Sequence, residues 1–117
     1  MIIEAKGTYQ GTKISILFDS GATDSFISAN LVKKCKVPVR KAKKAWQVEL
    51  ASGSKVESGL FVADGEIWLK EFSTFVNLRV ISLGTYDIIL GMDWLNQHQA
   101  VIDCSSKVIQ CIGERTQ

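Results

Sequence analysis

The tripeptide Asp19-Ser20-Gly21 closes an apolar run, Ile14-Ser15-Ile16-Leu17-Phe18, and is the first place where this sequence could do chemistry. A carboxylate at the end of a buried strand must be hydrogen-bonded or must hold a proton. Ser20 offers a hydroxyl, and Gly21 removes side-chain bulk and permits a tight turn. The chemistry on offer is acid–base work by a carboxylate; taken alone, the tripeptide is weak evidence and is more often a plain turn. Other reactive groups are few. His98 is the only histidine, so Ser20 and the cysteines would share one candidate base, which argues against a Ser-His or Cys-His hydrolase. Cys35, Cys104 and Cys111 are an odd set without C-x-x-C spacing, which indicates neither a zinc ribbon nor a disulfide framework. Reduced thiols in a cytosolic setting are the simplest reading.

The elements that must position Asp19 are mostly short strands. Residues 12–18 alternate and then run apolar, as a strand does on entering a core. Residues 46–50 alternate strictly, Ser52-Gly53-Ser54 marks a turn, and 55–57 resume the alternation. Further strand-like runs cover 60–63, 66–69, 74–81, 86–90, 100–103 and 107–112, with turn signals at Asp64-Gly65, Leu83-Gly84 and Ser105-Ser106. Two stretches read as helical, 28–34 and 92–98. Close-spaced strands favour an all-β sandwich or small barrel over βαβ units. One echo stands out: residues 14–21 and 86–91 are each an apolar strand that ends at a glycine corner and leads into a helix. Two such halves would bring both corners to the middle of the domain.

Taken together, Asp19-Ser20-Gly21-Ala22-Thr23, Phe26-Ile27-Ser28, the turn at Ser52-Gly53 and Tyr86-Asp87-Ile88-Ile89-Leu90-Gly91-Met92-Asp93-Trp94-Leu95 resemble the retropepsin-like aspartic proteases. The similarity is greatest to the protease segment of gypsy-type LTR-retrotransposon Gag-Pol polyproteins, those of plants in particular, and runs from about Gly7 to Cys111. It implies an acid-protease barrel or sandwich with a flap hairpin, one or two short helices, and an apolar-apolar-Gly corner packed behind the catalytic loop. It also implies peptide hydrolysis by two aspartates that share one proton around a water. The chain carries one Asp-Ser-Gly, so the second aspartate would be Asp19 of another copy, in a twofold homodimer.

The residue roles follow from the same resemblance. Asp19 is half of the dyad, Ser20 hydrogen-bonds across the axis, and Gly21 allows the two loops to approach. Residues 46–57 form the flap, with Ser52 and Gly53 at its tip, and Ala51, Ser52 and Gly53 contact the substrate. Ala22, Thr23 and Asp24 lie along the cleft floor, and Tyr86, Asp87 and Ile89 line pockets for an extended peptide, with apolar residues preferred beside the cut. The chain departs from many retroviral relatives at Met92 and Thr23, where those carry an Arg paired with an Asp. Both partners are replaced together, so no charge is left unpaired. Processing of a retroelement polyprotein in the cytoplasm, or within a virus-like particle, completes the expectation. The alternative is the same fold kept as a catalytically silent dimerisation or peptide-binding module.

Composition agrees with a single domain over residues 1–117. With 117 residues, 46% hydrophobic and 22% charged, the chain is neither a disordered tail nor a disulfide-dense miniprotein. No apolar run reaches the length of a membrane span and no signal-peptide pattern opens the chain, so no membrane partner is expected. Neither a metal nor a cofactor is indicated. The net charge is +2, yet seven of the fourteen basic residues fall between Lys33 and Lys44. Apart from Trp46 this cluster lacks interleaved aromatics, so a solvated helix and loop is expected there, not a nucleic-acid site. His98 is expected at a surface helix end, Trp68 and Trp94 in the core or an interface, and Asp93 at the start of the second helix without a catalytic role. A two-residue turn at Ser105-Ser106 would set Cys104 opposite Lys107 and Cys111 opposite Ala100, so the two thiols would not face each other.

Overall fold

In the computed structural model, residues 2–49, 53, 55–70, 72–103 and 108–110 are described. Strands β1 (Ile2–Tyr9) and β2 (Thr12–Asp19) form a hairpin paired from Ile2↔Asp19 to Tyr9↔Thr12. Its two-residue turn holds Gln10 and Gly11 at φ 51° and 77°, the left-handed pair that matches the natural twist of a hairpin. After β3 (Phe26–Ser28) comes helix α1 (Ala29–Cys35), where the Ser28 hydroxyl caps the amide of Asn30 and the left-handed Lys36 closes the far end. Then follow β4 (Arg40–Glu49), β5 (Lys55–Leu69), β6 (Phe72–Ile81), β7 (Ile88–Leu90), α2 (Met92–Gln97), β8 (Val101–Asp103) and β9 (Val108–Gln110).

Seven strands make one sheet in the order β1-β2-β7-β3-β6-β5-β4, and β1 also pairs with β5. That extra pairing, Gly7↔Leu69 and Thr8↔Trp68, closes a barrel and leaves β4 outside as an added strand. Closure needs the glycine at 7: a Cβ there would lie 2.5 Å from the Trp68 carbonyl oxygen and 2.8 Å from Ile16 Cδ1. The core fills the barrel with Ile16, Ile27, Ile67, Leu78, Ile88 and Leu90, all 0% exposed, and Trp94 seals it against Phe18 at a ring separation of 5.5 Å. The all-β barrel with a hairpin and two short helices is therefore present.

Several local readings change. β1 carries no clear apolar alternation, because two of its inward positions are Ala5 and Gly7. Asp64-Gly65 is not a turn between strands. β5 runs through it with a register shift, Asp64 taking φ 49° and donating its amide to Asn77 Oδ1 at 2.8 Å. The basic cluster is exposed, as expected, but its second half is strand, not loop: Arg40, Lys41, Lys43 and Lys44 stand along β4, where lysine discourages edge-to-edge pairing. Of the two settings expected for Trp68, the core is excluded: half its surface is exposed, because the neighbouring Ile67 takes the inward face.

His98 is likewise not at the surface. It is buried, stacks on Trp94 with ring centroids 4.6 Å apart, and places Nε2 3.2 Å from Thr74 Oγ1, which also accepts from Trp94 Nε1 at 2.9 Å. A lone histidine gives no pattern by which a sequence could reveal such a partner on a distant strand. In the β8–β9 hairpin, Val101 pairs with Gln110 and Asp103 with Val108, the register a two-residue turn requires. Cys104 and Cys111 lie outside the described residues.

Candidate active site

The site begins with β7. Its left neighbour β2 runs parallel to it, Phe18 beside Leu90, and its right neighbour β3 runs antiparallel, Phe26 beside Ile89. The chain that leaves β2 at Asp19 must therefore cross the end of β7 to enter β3. It crosses at Gly91. A Cβ there would collide with the Asp24 carbonyl oxygen and would lie 2.6 Å from that of Ala22, so only glycine fits beneath the loop. The two strand-to-glycine corners of the sequence echo thus lie side by side.

The crossing loop is strapped down by its backbone and by one carboxylate. Met92 donates its amide to Ala22 O at 2.7 Å and Asp93 donates to Thr23 O at 3.1 Å. Asp93 then reaches back: Oδ1 accepts from Ser25 Oγ at 2.6 Å and from its neighbour's amide on Trp94 at 2.7 Å, while Oδ2 accepts from the Ser25 amide at 3.1 Å. The fully buried Ser25 hydroxyl in turn accepts from the Gly91 amide at 3.0 Å. Asp93 does serve the start of α2, and it serves the loop as well.

At the head of the loop, Asp19 is half-buried, and its Oδ1 accepts from the Gly21 amide at 2.8 Å while Ala22 donates to its backbone oxygen at 3.2 Å. Ser20 and Gly21 follow directly, with Gly21 exposed. Next along the loop, Thr23 is exposed and its hydroxyl donates to Asp24 Oδ2 at 3.1 Å; that same oxygen is 3.2 Å from Arg79 Nη1.

The hairpin expected over residues 46–57 is present as β4 against β5, paired from Trp46↔Ser58 to Glu49↔Lys55. Gly53 is exposed at φ 89°, a left-handed conformation that suits glycine at a turn; Ala51 and Ser52 lie outside the described residues. The hairpin meets the loop through a small apolar cluster. Phe26, Val48 and Ile81 are its buried members, with Ala22, Val56, Leu83 and Ile89 half-buried around them. Ile89 and Ala22 are thereby brought together with the hairpin.

Asp87 has a different setting. Its Oδ2 accepts from the Ser15 amide at 2.9 Å, and its backbone carbonyl accepts from Ser28, so it splices β2 to β3 beyond the start of β7. Tyr86 is half-buried beside it, its amide donating to Leu83 O at 3.4 Å. Sequence reasoning did not single out Ser25 or Arg79; Arg79 sits on the outward face of β6 with Phe75 and Asn77 and looks unremarkable there. Among the described residues, no three His, Cys, Asp or Glu gather as a metal site would require, and no helix is long and apolar enough to cross a membrane.

A barrel with a hairpin over an Asp-Ser-Gly loop, laid across an apolar-apolar-Gly corner, defines the retropepsin-like class. The sequence matches the family described as retroviral aspartyl protease over residues 2–117, and the chain belongs to that family. Its fold is similar to the crystal structure of the retroviral protease-like domain of Ddi1 from Leishmania major, with TM-score 0.71 and 22% identity over 95% of this chain and 88% of that one. No curated protein matches it.

Proposed function

We propose that this chain is an aspartic endopeptidase that works as a homodimer, each copy contributing one Asp19 to a shared dyad. The observation that carries the reading is the Asp19 loop itself: a half-buried carboxylate at a strand end, held by the Gly21 amide and strapped over Gly91 beneath a hairpin. One Asp-Ser-Gly per chain leaves the second carboxylate to be supplied by a second copy. In the reaction the ionised aspartate takes a proton from water as the water attacks the peptide carbonyl. The protonated partner gives its proton to the carbonyl oxygen. The tetrahedral diol then collapses as a proton passes to the leaving nitrogen, and the shared proton is restored. Ser20 ties the two loops across the axis. The half-buried Ala22, Val56, Leu83 and Ile89 support a preference for apolar residues near the cut.

The substrate we infer is a polyprotein of a gypsy-type retroelement, processed in the cytoplasm or within a virus-like particle; the motifs from Asp19 to Ala22 and from Ile88 to Leu95 support that assignment. The test is cleavage of an unfolded protein at about pH 5, with Asp19→Asn as the control. Cleavage lost in the variant, with specific activity rising with protein concentration, is expected. Absence of cleavage by a demonstrated dimer would favour a silent peptide-binding module, and equal cleavage by both proteins would exclude Asp19.

A further inference from the structure

Arg79 stands where three parts of the site meet. Its amide donates to the Ser25 carbonyl at 3.0 Å, just past the loop, and its Cα is in register with Phe26 of β3 on one side and Phe61 of β5 on the other. Its side chain has two partners. Nη1 lies 3.2 Å from Asp24 Oδ2, and the guanidinium carbon lies 3.9 Å from the centre of the Trp46 ring, at the base of the hairpin. Trp46 is braced in turn by the edge of Phe61 at 6.1 Å. One cation is thus held between a carboxylate of the loop and an indole of the hairpin. Arginine suits both contacts, because its planar guanidinium stacks on an aromatic face while its N–H edge meets a carboxylate. The ion-pair side chains are 24% and 35% exposed, so the pair is open to a solute and is not locked in the core.

We propose that Arg79 is a specificity-determining residue. It cancels the charge of Asp24, so the cleft takes a peptide whose side chain over that point is uncharged, and through Trp46 it ties the cleft floor to the hairpin. The inference rests on the reading of Asp19 to Asp24 as the floor of a peptide-binding cleft. Without Arg79, the Asp24 carboxylate is left to seek a cation from the peptide. Without Asp24, Arg79 is left to seek an anion. The two changes therefore act with opposite sign.

The experiment profiles a mixed-sequence peptide library in two ways. Cleavage is read with the wild type, Arg79→Met, Asp24→Asn and the double variant; capture is read with the same four proteins carrying Asp19→Asn. Arg79→Met is expected to enrich Lys and Arg at one peptide position by about fivefold, as an ion pair at a half-exposed site would. Asp24→Asn is expected to enrich Asp and Glu at that position, and the double variant to return to the wild-type profile. General loosening of the fold produces neither the sign reversal nor the return. Unchanged preferences, shifts of the same sign, or capture of no peptide by any form would overturn the proposal. If Arg79→Met does not fold, the sign of the Asp24→Asn shift decides. A charge swap seen in capture without wild-type cleavage would remove the protease reading and leave Arg79 in its role. Asp19-dependent cleavage with indifferent charge preference would do the reverse.

Discussion

Ser25 and Asp93, 68 positions apart in sequence, hydrogen-bond twice, hydroxyl to Oδ1 at 2.6 Å and amide to Oδ2 at 3.1 Å. Through this contact the end of the Asp19 loop is fixed to the first turn of α2, and the Ser25 hydroxyl passes the link on to the Gly91 amide. Ser25→Ala removes a bond to a carboxylate and orphans a buried amide, a loss of about 2 kcal/mol. Urea unfolding should show that loss. Turnover should fall by about tenfold or more, because small displacements of catalytic groups are costly. Full activity in a variant destabilised by this amount would show that the strap does not position Asp19.

Gly91→Ala puts a methyl group against the carbonyl oxygens of Ala22 and Asp24. Those atoms belong to the loop backbone and cannot turn aside as a side chain would. The expected cost is about 1–3 kcal/mol from overpacking, with loss of activity beyond what stability explains. Gly53→Ala, at an open position, adds no such clash, although its φ of 89° carries a conformational cost of about 1 kcal/mol. Equal activity losses at the two glycines would contradict the assignment of Gly91 to the loop.

Trp94, Thr74 and His98 form a buried polar chain beneath the site. Trp94→Phe keeps the ring against Phe18 but withdraws the N–H from Thr74, for a loss of about 1–3 kcal/mol. Trp94→Ala also opens a cavity and should cost about 3–5 kcal/mol. Chemical denaturation of both variants gives the ordering; equal losses would show that the packing of the ring contributes nothing beyond the hydrogen bond.

Tyr9 is 2% exposed, and burial, then the neighbouring Cys35, raises its phenol above the ordinary value of 10.0. The sign follows from the protons bound. Below about pH 10 the phenol is neutral in both states and its contribution is fully present. Above that, the unfolded chain ionises first, and stability falls as pH rises through the raised value. Denaturation midpoints measured across this range should decline more steeply for the wild type than for Tyr9→Phe. Parallel slopes would mean that Tyr9 does not carry the alkaline sensitivity.

Much of this protein was legible in the sequence because it is local. The apolar run into Asp19, the helix that begins near Ser28, the hairpin between Trp46 and Glu57 and the register of β8 with β9 all depend on local periodicity and turn chemistry among near neighbours. Even the kinship of the corners at Gly21 and Gly91 showed as a repeated pattern. β1 was hidden because its inward positions include Ala5 and Gly7, which carry almost no hydrophobic signal.

What only the tertiary structure decided are the meetings of side chains from distant segments. That β2 and β3 straddle β7 determines why the residue at 91 must lack a Cβ. His98 reads as a lone polar residue until α2 sets it beside Thr74 of β6, and Arg79 reads as an outward arginine until Asp24 and Trp46 are placed on either side of it. Local pattern specifies which face of an element is buried. Which polar atom then finds a partner depends on the closure of the whole sheet, because an ion pair or hydrogen bond across it requires distances that no sequence spacing contains.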